Sequence, residues 1–158
     1  MVIRGLFQTA SRPLIALLLV ALGAACSQTE ALTLPTGRVA IQTERSAVTL
    51  NVQIAATEET RRAGLMNRTS LAPDSGMAFL FPRPTDQSFW MKDTPIPLSI
   101  AFWGTDGRIA SMLEMTPCRA DPCPTYFPGN AYVGAVEANR GFFVAHGVEV
   151  GDVVALTR

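Results

Sequence analysis

The chain has 158 residues, enough for one domain, and its 13 basic and 13 acidic residues give a formal net charge of zero. A nucleic-acid-binding surface needs clustered lysine and arginine, and a sequence whose single lysine is Lys92 argues against such a partner. Loss of Arg4 and Arg12 with an N-terminal leader leaves 11 basic and 13 acidic residues, a net charge of −2.

The N-terminus has the three-part layout of a secretory signal peptide. Arg4 and Arg12 precede an apolar run over residues 14–25, and no acidic residue interrupts the segment. The run is too short to cross about 30 Å of hydrocarbon, which takes about 20 helical residues. We therefore expect residues 1–25 to be a signal peptide that is cleaved from an exported protein.

The small residues 23–25 directly precede Cys26, as in the box where a bacterial lipoprotein is cleaved and lipidated on its cysteine. Gly23 departs from that pattern, which usually has an aliphatic residue there. Ordinary cleavage that removes Cys26 or leaves it as a free thiol is the alternative. Ser27 favours onward transport to the outer membrane by analogy with other lipoproteins. We expect a periplasmic lipoprotein, anchored to the membrane only through Cys26, with residues 26–37 as its tether.

The first structured elements are predicted to be two strands and a short helix. Apolar and polar residues alternate over residues 47–55, which predicts a strand with one buried face, and a weaker strand precedes it over 39–43. Thr57 can cap backbone N–H groups, so a helix begins after it. Glu58 and Arg62 are four residues apart on this helix, a spacing that suits a surface ion pair.

The remaining elements are mostly short strands separated by turn residues. The predicted strands cover residues 77–81, 88–91, 98–103, 108–115, 132–138 and 153–156. Pro82 is expected to close the first of these, and residues 104–107 give the best hairpin signal. Residues 141–146 form one or two helical turns that end at Gly147. About eight strands and two small helices predict a mainly β protein, a sandwich or barrel, in one domain over residues 38–158.

Five motifs in this domain resemble one known family. They are Gly-Leu-Met-Asn-Arg at 64–68, Gly-Met-Ala-Phe-Leu-Phe at 76–81, the stretch from Phe89 to Leu98, Pro-Cys and Cys-Pro at 117–124, and Gly-Val-Glu-Val-Gly-Asp at 147–152. Their order and spacing resemble the family called domain of unknown function 192, over roughly residues 38–157. The resemblance implies a compact, jelly-roll-like β-sandwich, often exported or membrane-associated, without an established activity.

Two residues depart from the family pattern. Family members usually have Asn at the position of Asp93 and Asp at the position of Ser99. A catalytic pair built on those two family residues would lack its acid at Ser99, so the departure counts against carboxylate chemistry at this place.

The candidate binding residues are Trp90, Lys92, Asp93 and Thr94. On a strand, Trp90 and Lys92 share one face, where the indole offers a stacking surface. The ammonium offers a point charge for a carboxylate, phosphate or sugar hydroxyl. The structural alternative is that Trp90 fills the core, Lys92 pairs with an acid, and Thr94 helps to lock a turn.

Cysteine and histidine point to structural roles. Cys118 and Cys123 lie five residues apart in a proline-rich loop, which predicts a disulfide in an oxidising compartment. His146 ends a short helix, where a cationic ring can meet free carbonyls. A second Cys or His pair for zinc is lacking, so no metal or other cofactor is predicted.

Three functional hypotheses remain open. The first is a non-enzymatic envelope protein that binds a small polar ligand, a glycan or another envelope protein, with no catalytic residue assigned. The second is an envelope hydrolase or carbohydrate-active enzyme, which requires that two of Asp93, Glu114 and Glu137 converge in one cleft beside Lys92. The third is a copper-handling protein that uses thioether sulfur. Its candidate ligands are Met66, Met77, Met91, Met112 and Met115.

Overall fold

A computed structural model describes residues 33–158, which form nine strands and two short helices. The predicted signal peptide, Cys26 and most of the predicted tether lie outside the described residues. The strands are β1 (Thr36–Gln42), β2 (Ala47–Ala55), β3 (Ser75–Thr85), β4 (Phe89–Trp90), β5 (Leu98–Trp103), β6 (Ile109–Met115), β7 (Thr125–Tyr126), β8 (Tyr132–Asn139) and β9 (Val153–Thr157). The helices are α1 (Glu58–Ala63) and α2 (Phe142–Ala145). Over residues 33–158, neither helix has the length and apolar character needed to cross a bilayer.

Seven strands form one sheet in the order β6-β5-β8-β3-β2-β1-β9, and β4 pairs with β7 in a separate two-stranded sheet. Strands β2 and β3 are parallel, and α1 lies between them in the chain. The large sheet curls into a half-barrel. Its two edge strands approach at one end, where the Ile109 N–H donates to the Asp152 carbonyl at 2.9 Å. The mainly β architecture with two short helices is thereby confirmed.

Local sequence signals explain where β2 and α1 form. Val48, Leu50 and Val52 are buried while the residues between them are exposed, because side chains on a strand alternate between its faces. Helix α1 begins with a capping box, in which the Thr57 hydroxyl accepts from the Thr60 N–H at 3.1 Å and the Thr60 hydroxyl accepts from the Thr57 N–H at 3.0 Å. The predicted strand and helix start are both confirmed.

Strand β3 continues to Thr85, so the prediction that Pro82 closes it is wrong. Pairing with β8 runs as far as Leu80 opposite Gly134 and resumes at Thr85 opposite Tyr132, with a register shift between. A proline lacks a backbone N–H, and it is tolerated where the ladder is already interrupted. The same irregularity places Tyr132 in the opposite core from Val136 and Ala138, which lie an even number of residues along β8.

The sheet has an apolar cluster on each face. The first core contains Val39, Leu50, Val136 and Phe143, with α2 packed into it. The second core, on the other face, is formed by ten or so side chains that include Met77, Met91, Met115, Phe79, Phe102 and Tyr132. The small sheet and the loops beside it cover this second core, with Phe89 of β4, Tyr126 of β7 and Cys118 packed against it. The predicted disulfide between Cys118 and Cys123 is present in this covering segment.

Candidate functional site

The structure separates the four predicted binding residues. Trp90 ends β4 and is 45% exposed, so the alternative that it fills the core is wrong. Thr94 is buried, and its hydroxyl donates to the Lys92 carbonyl at 3.2 Å, which holds the turn after Met91. Trp90 and Thr94 line two cavities beside α1, whereas Lys92 and Asp93 line neither of these cavities.

The charge of Lys92 is directed to the disulfide loop. Its ammonium nitrogen lies 3.2 Å from a carboxylate oxygen of Asp121 and 5.8 Å from the centre of the Trp90 ring. Both side chains of the ion pair are exposed, so the pair contributes little to stability. Lys92 therefore has the structural partner that the alternative interpretation required.

Asp93 has a conformational role. Its φ is 53°, in the left-handed region where Asn and Asp are tolerated better than other non-glycine residues. Its carbonyl accepts a hydrogen bond from the Asn67 N–H at 2.7 Å. An asparagine, which the family resemblance implies at this position, would meet the same backbone requirement.

A groove of about 410 Å³ lies between α1 and β4, and we call it the Trp90 groove. Its lining is Glu58, Arg61, Arg62, Phe79, Phe81, Gln87, Ser88, Phe89, Trp90 and Tyr132. The aromatic walls interlock edge to face, with the rings of Phe79 and Phe89 centred 5.0 Å apart and those of Phe81 and Tyr132 5.1 Å apart. These contacts hold the walls in a fixed shape.

Tyr132 is an anchor of this wall. Its hydroxyl donates to the Gln87 carbonyl at 2.7 Å, which fixes the chain just before β4. Burial, with a smaller contribution from the Asp86 charge, raises the pKa of the Tyr132 phenol above its usual value. The phenol therefore stays a neutral hydrogen-bond donor at physiological pH.

The two arginines of the groove differ in how they are held. Arg61 Nη1 donates to the carbonyls of Ala56 at 2.6 Å and Leu80 at 2.9 Å, and its guanidinium lies over the Phe81 ring at 4.8 Å. Arg62 is exposed, and within residues 33–158 its side chain has no hydrogen-bond or ion-pair partner. Arg62 is therefore a cation that is available to a ligand.

The predicted ion pair between Glu58 and Arg62 is wrong. The ion pairs found within residues 33–158 are Lys92–Asp121 and Arg140–Glu114. An exposed pair on a helix is worth only about 0.3–0.5 kcal/mol, which is small beside the entropy lost when two long side chains are fixed. The charged face of α1 thus leaves Arg62 free beside the groove.

A small cavity of about 30 Å³ adjoins the groove, and we call it the Glu137 cavity. It shares Arg61, Arg62, Phe79, Phe89 and Trp90 with the groove and adds residues 63–66, Thr94 and Glu137. Glu137 is only 4% exposed, and in the described part of the chain its carboxyl has no hydrogen-bond or ion-pair partner. Burial raises the pKa of Glu137 to about 8.

Glu114 and Glu137 project from opposite faces of the sheet. Glu114 lies opposite Ser99 and Glu137 lies opposite Ile100, and consecutive residues of a strand face opposite ways. Glu114 is already engaged, because the Ser99 hydroxyl donates to it at 2.6 Å. Asp93 is exposed in a turn. These acids therefore do not form the paired cleft that the hydrolase hypothesis requires.

Ser99 itself organises the end of β8. While its hydroxyl donates to Glu114, it accepts a hydrogen bond from the Gly141 N–H at 2.7 Å. Ser99 is 1% exposed, so these bonds satisfy a buried hydroxyl. These two hydrogen bonds give Ser99 a structural role.

The methionines and the histidine are engaged in packing and capping. Met77, Met91 and Met115 are each at most 1% exposed in the second core. His146 Nδ1 lies 2.8 Å from the Phe142 carbonyl oxygen, the helix-end contact that the sequence predicted. Among residues 33–158, no cluster of three or more His, Cys, Asp or Glu side chains is placed to hold a metal ion.

Comparison with known proteins identifies the family. The profile of DUF192, described as "Uncharacterized ACR", matches residues 39–156. The chain belongs to the DUF192 family. No curated protein matches it.

Two solved structures resemble this DUF192 protein. A protein from Sinorhizobium meliloti 1021, described as a candidate transcription regulator, is 28% identical with a TM-score of 0.74, covering 80% of this chain and 97% of its own. A protein of unknown function from Novosphingobium aromaticivorans is 28% identical with a TM-score of 0.73, covering 77% of this chain and 86% of its own. Neither description states a ligand or a reaction.

Sequence reasoning missed most of the groove. It treated Arg62 as part of a solvated face and assigned no role to Tyr132 or Phe89. Glu137 appeared only as a possible member of an acid pair. One signal was available, since a glutamate inside the otherwise apolar and small run of residues 132–138 breaks the pattern of a buried strand.

Proposed function

We propose that this DUF192 member is a non-enzymatic binding protein of the cell envelope and that its Trp90 groove holds a small polar ligand with an anionic group. The observation that carries the proposal is the convergence of two available groups on one groove. These are the Arg62 guanidinium, which has no partner within residues 33–158, and the exposed Trp90 indole.

The chemistry of both groups favours such a ligand. A guanidinium is planar and can donate two parallel hydrogen bonds to a carboxylate or a phosphate. The indole face offers a flat apolar surface to a ring or an aliphatic segment, and its N–H is a donor. A small molecule that joins a carboxylate or phosphate to an apolar segment, such as the acidic end of a glycan, satisfies both groups.

The rigidity of the groove supports binding. Arg61 is tied to two backbone carbonyls, and Phe89 meets Phe79 at 5.0 Å and Phe102 at 5.5 Å. Walls that are already ordered lose less conformational entropy when a ligand binds. The free side chain of Arg62 is the main part that must be ordered.

The envelope location rests on the predicted signal peptide and on Cys26, and the Cys118–Cys123 disulfide supports it because such bonds persist in oxidising compartments. A role as a transcription regulator, as one relative is described, would require binding to DNA. Residues 26–158 carry a net charge of −2 and a single lysine, which does not favour binding to a polyanion.

The test is an NMR titration with butyrate and with inorganic phosphate, read at the tryptophan indole N–H groups. Trp90 lies at the groove, whereas Trp103 is 7% exposed in the first core and serves as an internal control. We expect a saturable shift of the Trp90 signal and none of the Trp103 signal. Because a charge-assisted hydrogen bond contributes about 1.5–3 kcal/mol, Arg62→Gln should weaken binding at least about tenfold.

The matched control is Arg45→Gln. Arg45 is also exposed and lies in the turn between β1 and β2, outside the groove lining. It should leave the titration unchanged. Absence of a saturable Trp90 shift with both anions, or an equal loss of affinity in the two arginine variants, would contradict the proposed function.

A further inference from the structure

The Glu137 cavity holds one polar side chain that the proposed function does not yet use. The cavity volume of about 30 Å³ is close to the space that one water molecule or one ammonium group occupies. Its walls combine apolar side chains, Phe79, Phe89 and Leu65 among them, with polar groups from α1 and Thr94. A carboxyl buried in such surroundings without a partner is costly, and native proteins rarely leave one unsatisfied.

The charged groups around Glu137 do not satisfy it. Arg61 and Arg62 of α1 line the cavity, while its lining residues from β3, β4 and the turn at Thr94 are uncharged. The Arg61 guanidinium is directed to the carbonyls of Ala56 and Leu80. The ion pairs found within residues 33–158 do not include Glu137, so neither guanidinium pairs with its carboxyl.

A small cationic donor fits the cavity best. An ammonium group carries several N–H donors and a positive charge, and aromatic rings attract cations. Phe79, Phe89 and Trp90 supply such rings, and Glu137 supplies the counter-charge. The cavity and the groove share five lining residues, so a ligand in the groove can extend one end toward Glu137.

We propose that the ligand of the Trp90 groove is zwitterionic, with an ammonium group that enters the Glu137 cavity and a carboxylate or phosphate that binds Arg62. This inference rests on the proposed function, because it requires that the groove binds a ligand at all. Amino acids and other small amine-bearing acids belong to this chemical class.

The pH dependence of binding follows from proton linkage. The pKa of Glu137 is about 8 in the unoccupied protein, so below that pH the cavity holds a neutral carboxyl and an incoming ammonium group must displace its proton. Affinity for an ammonium ligand therefore rises about tenfold per pH unit up to about 8 and levels off above it. An alkylammonium group itself stays charged until about pH 10.

The experiment compares three probes of similar size on the full folded domain by the same NMR titration. They are 4-aminobutyrate, which has both charges, butyrate, which has the anion alone, and butylamine, which has the cation alone. At pH 8.5 we expect 4-aminobutyrate to bind at least tenfold more tightly than butyrate. Between pH 6 and pH 8 its affinity should rise while that of butyrate does not.

Two variants separate the two ends of the ligand. Glu137→Gln keeps the shape of the side chain but removes its charge, so 4-aminobutyrate should bind to it no more tightly than butyrate. Arg62→Gln should weaken both acids but should not weaken butylamine, because it removes a cation from the lining of the cavity. The pH dependence should disappear in Glu137→Gln, an effect that a merely structural role would not produce.

The possible failures are distinguishable. If butyrate binds in an Arg62-dependent way but 4-aminobutyrate binds no better, the cavity holds only water, the inference is wrong and the proposed function stands. If butylamine binds through Glu137 while Arg62→Gln changes nothing, the zwitterionic ligand is also wrong. If no probe shifts the Trp90 signal, the proposed function is wrong, and the inference that rests on it is wrong as well.

Discussion

At the scale of single residues, Glu137 dominates the energetics of the candidate site. It is 4% exposed on β8, between Met77 of β3 and Ile100 of β5. Desolvation disfavours its charged form and raises its pKa from 4.5 to about 8. The protein therefore bears a cost at this position whenever the carboxyl is ionised and the cavity is unoccupied.

This cost predicts a pH-dependent gain in stability for Glu137→Gln. Between pH 4.5 and about 8 the folded chain keeps the proton that the unfolded chain releases, so rising pH lowers the free energy of unfolding until about pH 8. A glutamine does not titrate. Since one pKa unit corresponds to about 1.4 kcal/mol, the variant should be more stable than wild type at pH 9 by a few kcal/mol.

Urea unfolding at pH 5 and pH 9 checks this expectation. At pH 5 the two proteins should differ by about 1 kcal/mol or less, because pH 5 lies only half a unit above the unfolded pKa of 4.5 while the folded carboxyl is still protonated. Glu114→Gln is the matched control, since Glu114 is 41% exposed and should show no gain at high pH. An advantage of Glu137→Gln that does not grow between the two pH values would contradict a buried, unpartnered carboxyl.

At the scale of secondary-structure elements, the sequence predicted strands in which apolar and polar residues alternate and strands that are joined by a turn with typical turn residues. Strand β2 spans Ala47–Ala55, as its alternation indicated, and β5 and β6 flank the turn at residues 104–107. The end of β3 was mispredicted, because a proline stops a strand only where its missing N–H would break a pair. Whether pairing continues is decided by β8, which is distant in sequence.

The candidate site was harder to predict than the strands, because its residues come from elements that are distant in the sequence. Arg62 comes from α1, Trp90 from β4 and Glu137 from β8. They meet because β8 lies beside β3 in the sheet while α1 and β4 flank β3 in the chain. No local pattern encodes that order. The Trp90–Thr94 stretch was recognisable as unusual, but Lys92 and Asp93 serve the loop contacts and the turn.

A close contact between β8 and β5 gives a prediction at this scale. Gly134 faces the ring of Trp103 on the neighbouring strand, and a Cβ atom at this position would overlap with the ring. Overpacking of this kind costs about 1–3 kcal/mol or more, because the buried indole cannot move without disturbing the first core. Gly134→Ala should therefore lower the midpoint of urea unfolding.

Gly104→Ala is the control for that experiment. Its added Cβ would meet only the flexible Asp106 side chain, at 3.0 Å, and its backbone is not in the left-handed region. It should change the free energy of unfolding by less than about 0.5 kcal/mol. Equal stability of the two alanine variants would show that the sheet accommodates a side chain against Trp103 without cost.

At the scale of the whole molecule, the two faces of the curled sheet carry separate cores that are covered by different elements. The first core holds the sheet together through residues of six strands and α2. The second core is covered by β4, β7 and the loops beside them. The Cys118–Cys123 disulfide closes the loop before β7, and the Lys92–Asp121 ion pair joins this loop to the segment after β4. The groove lies where this cover meets α1. The less regular face of the sheet thus carries the candidate site.

The disulfide and the leader together lead to a prediction for the whole precursor. A disulfide persists where the compartment is oxidising, and residues 1–25 have the layout of an export signal. We expect that, after expression in a Gram-negative host, mass spectrometry finds the mature chain beginning at Cys26 with lipid attached and the Cys118–Cys123 bond oxidised. The protein should then fractionate with membranes.

Cys26→Ser is the matched variant, because it removes the acceptor sulfur and leaves the folded domain intact. A single acyl chain anchors a protein only marginally, whereas several chains hold it stably, so the wild type should resist extraction by salt and the variant should carry no lipid mass. Each alternative leaves a different mass: ordinary cleavage gives an unlipidated chain that begins at or after Cys26, and a retained leader gives the full precursor. Either mass for the wild-type protein would contradict the lipid anchor. The groove proposal would be unaffected, since its contacts lie entirely within residues 58–137.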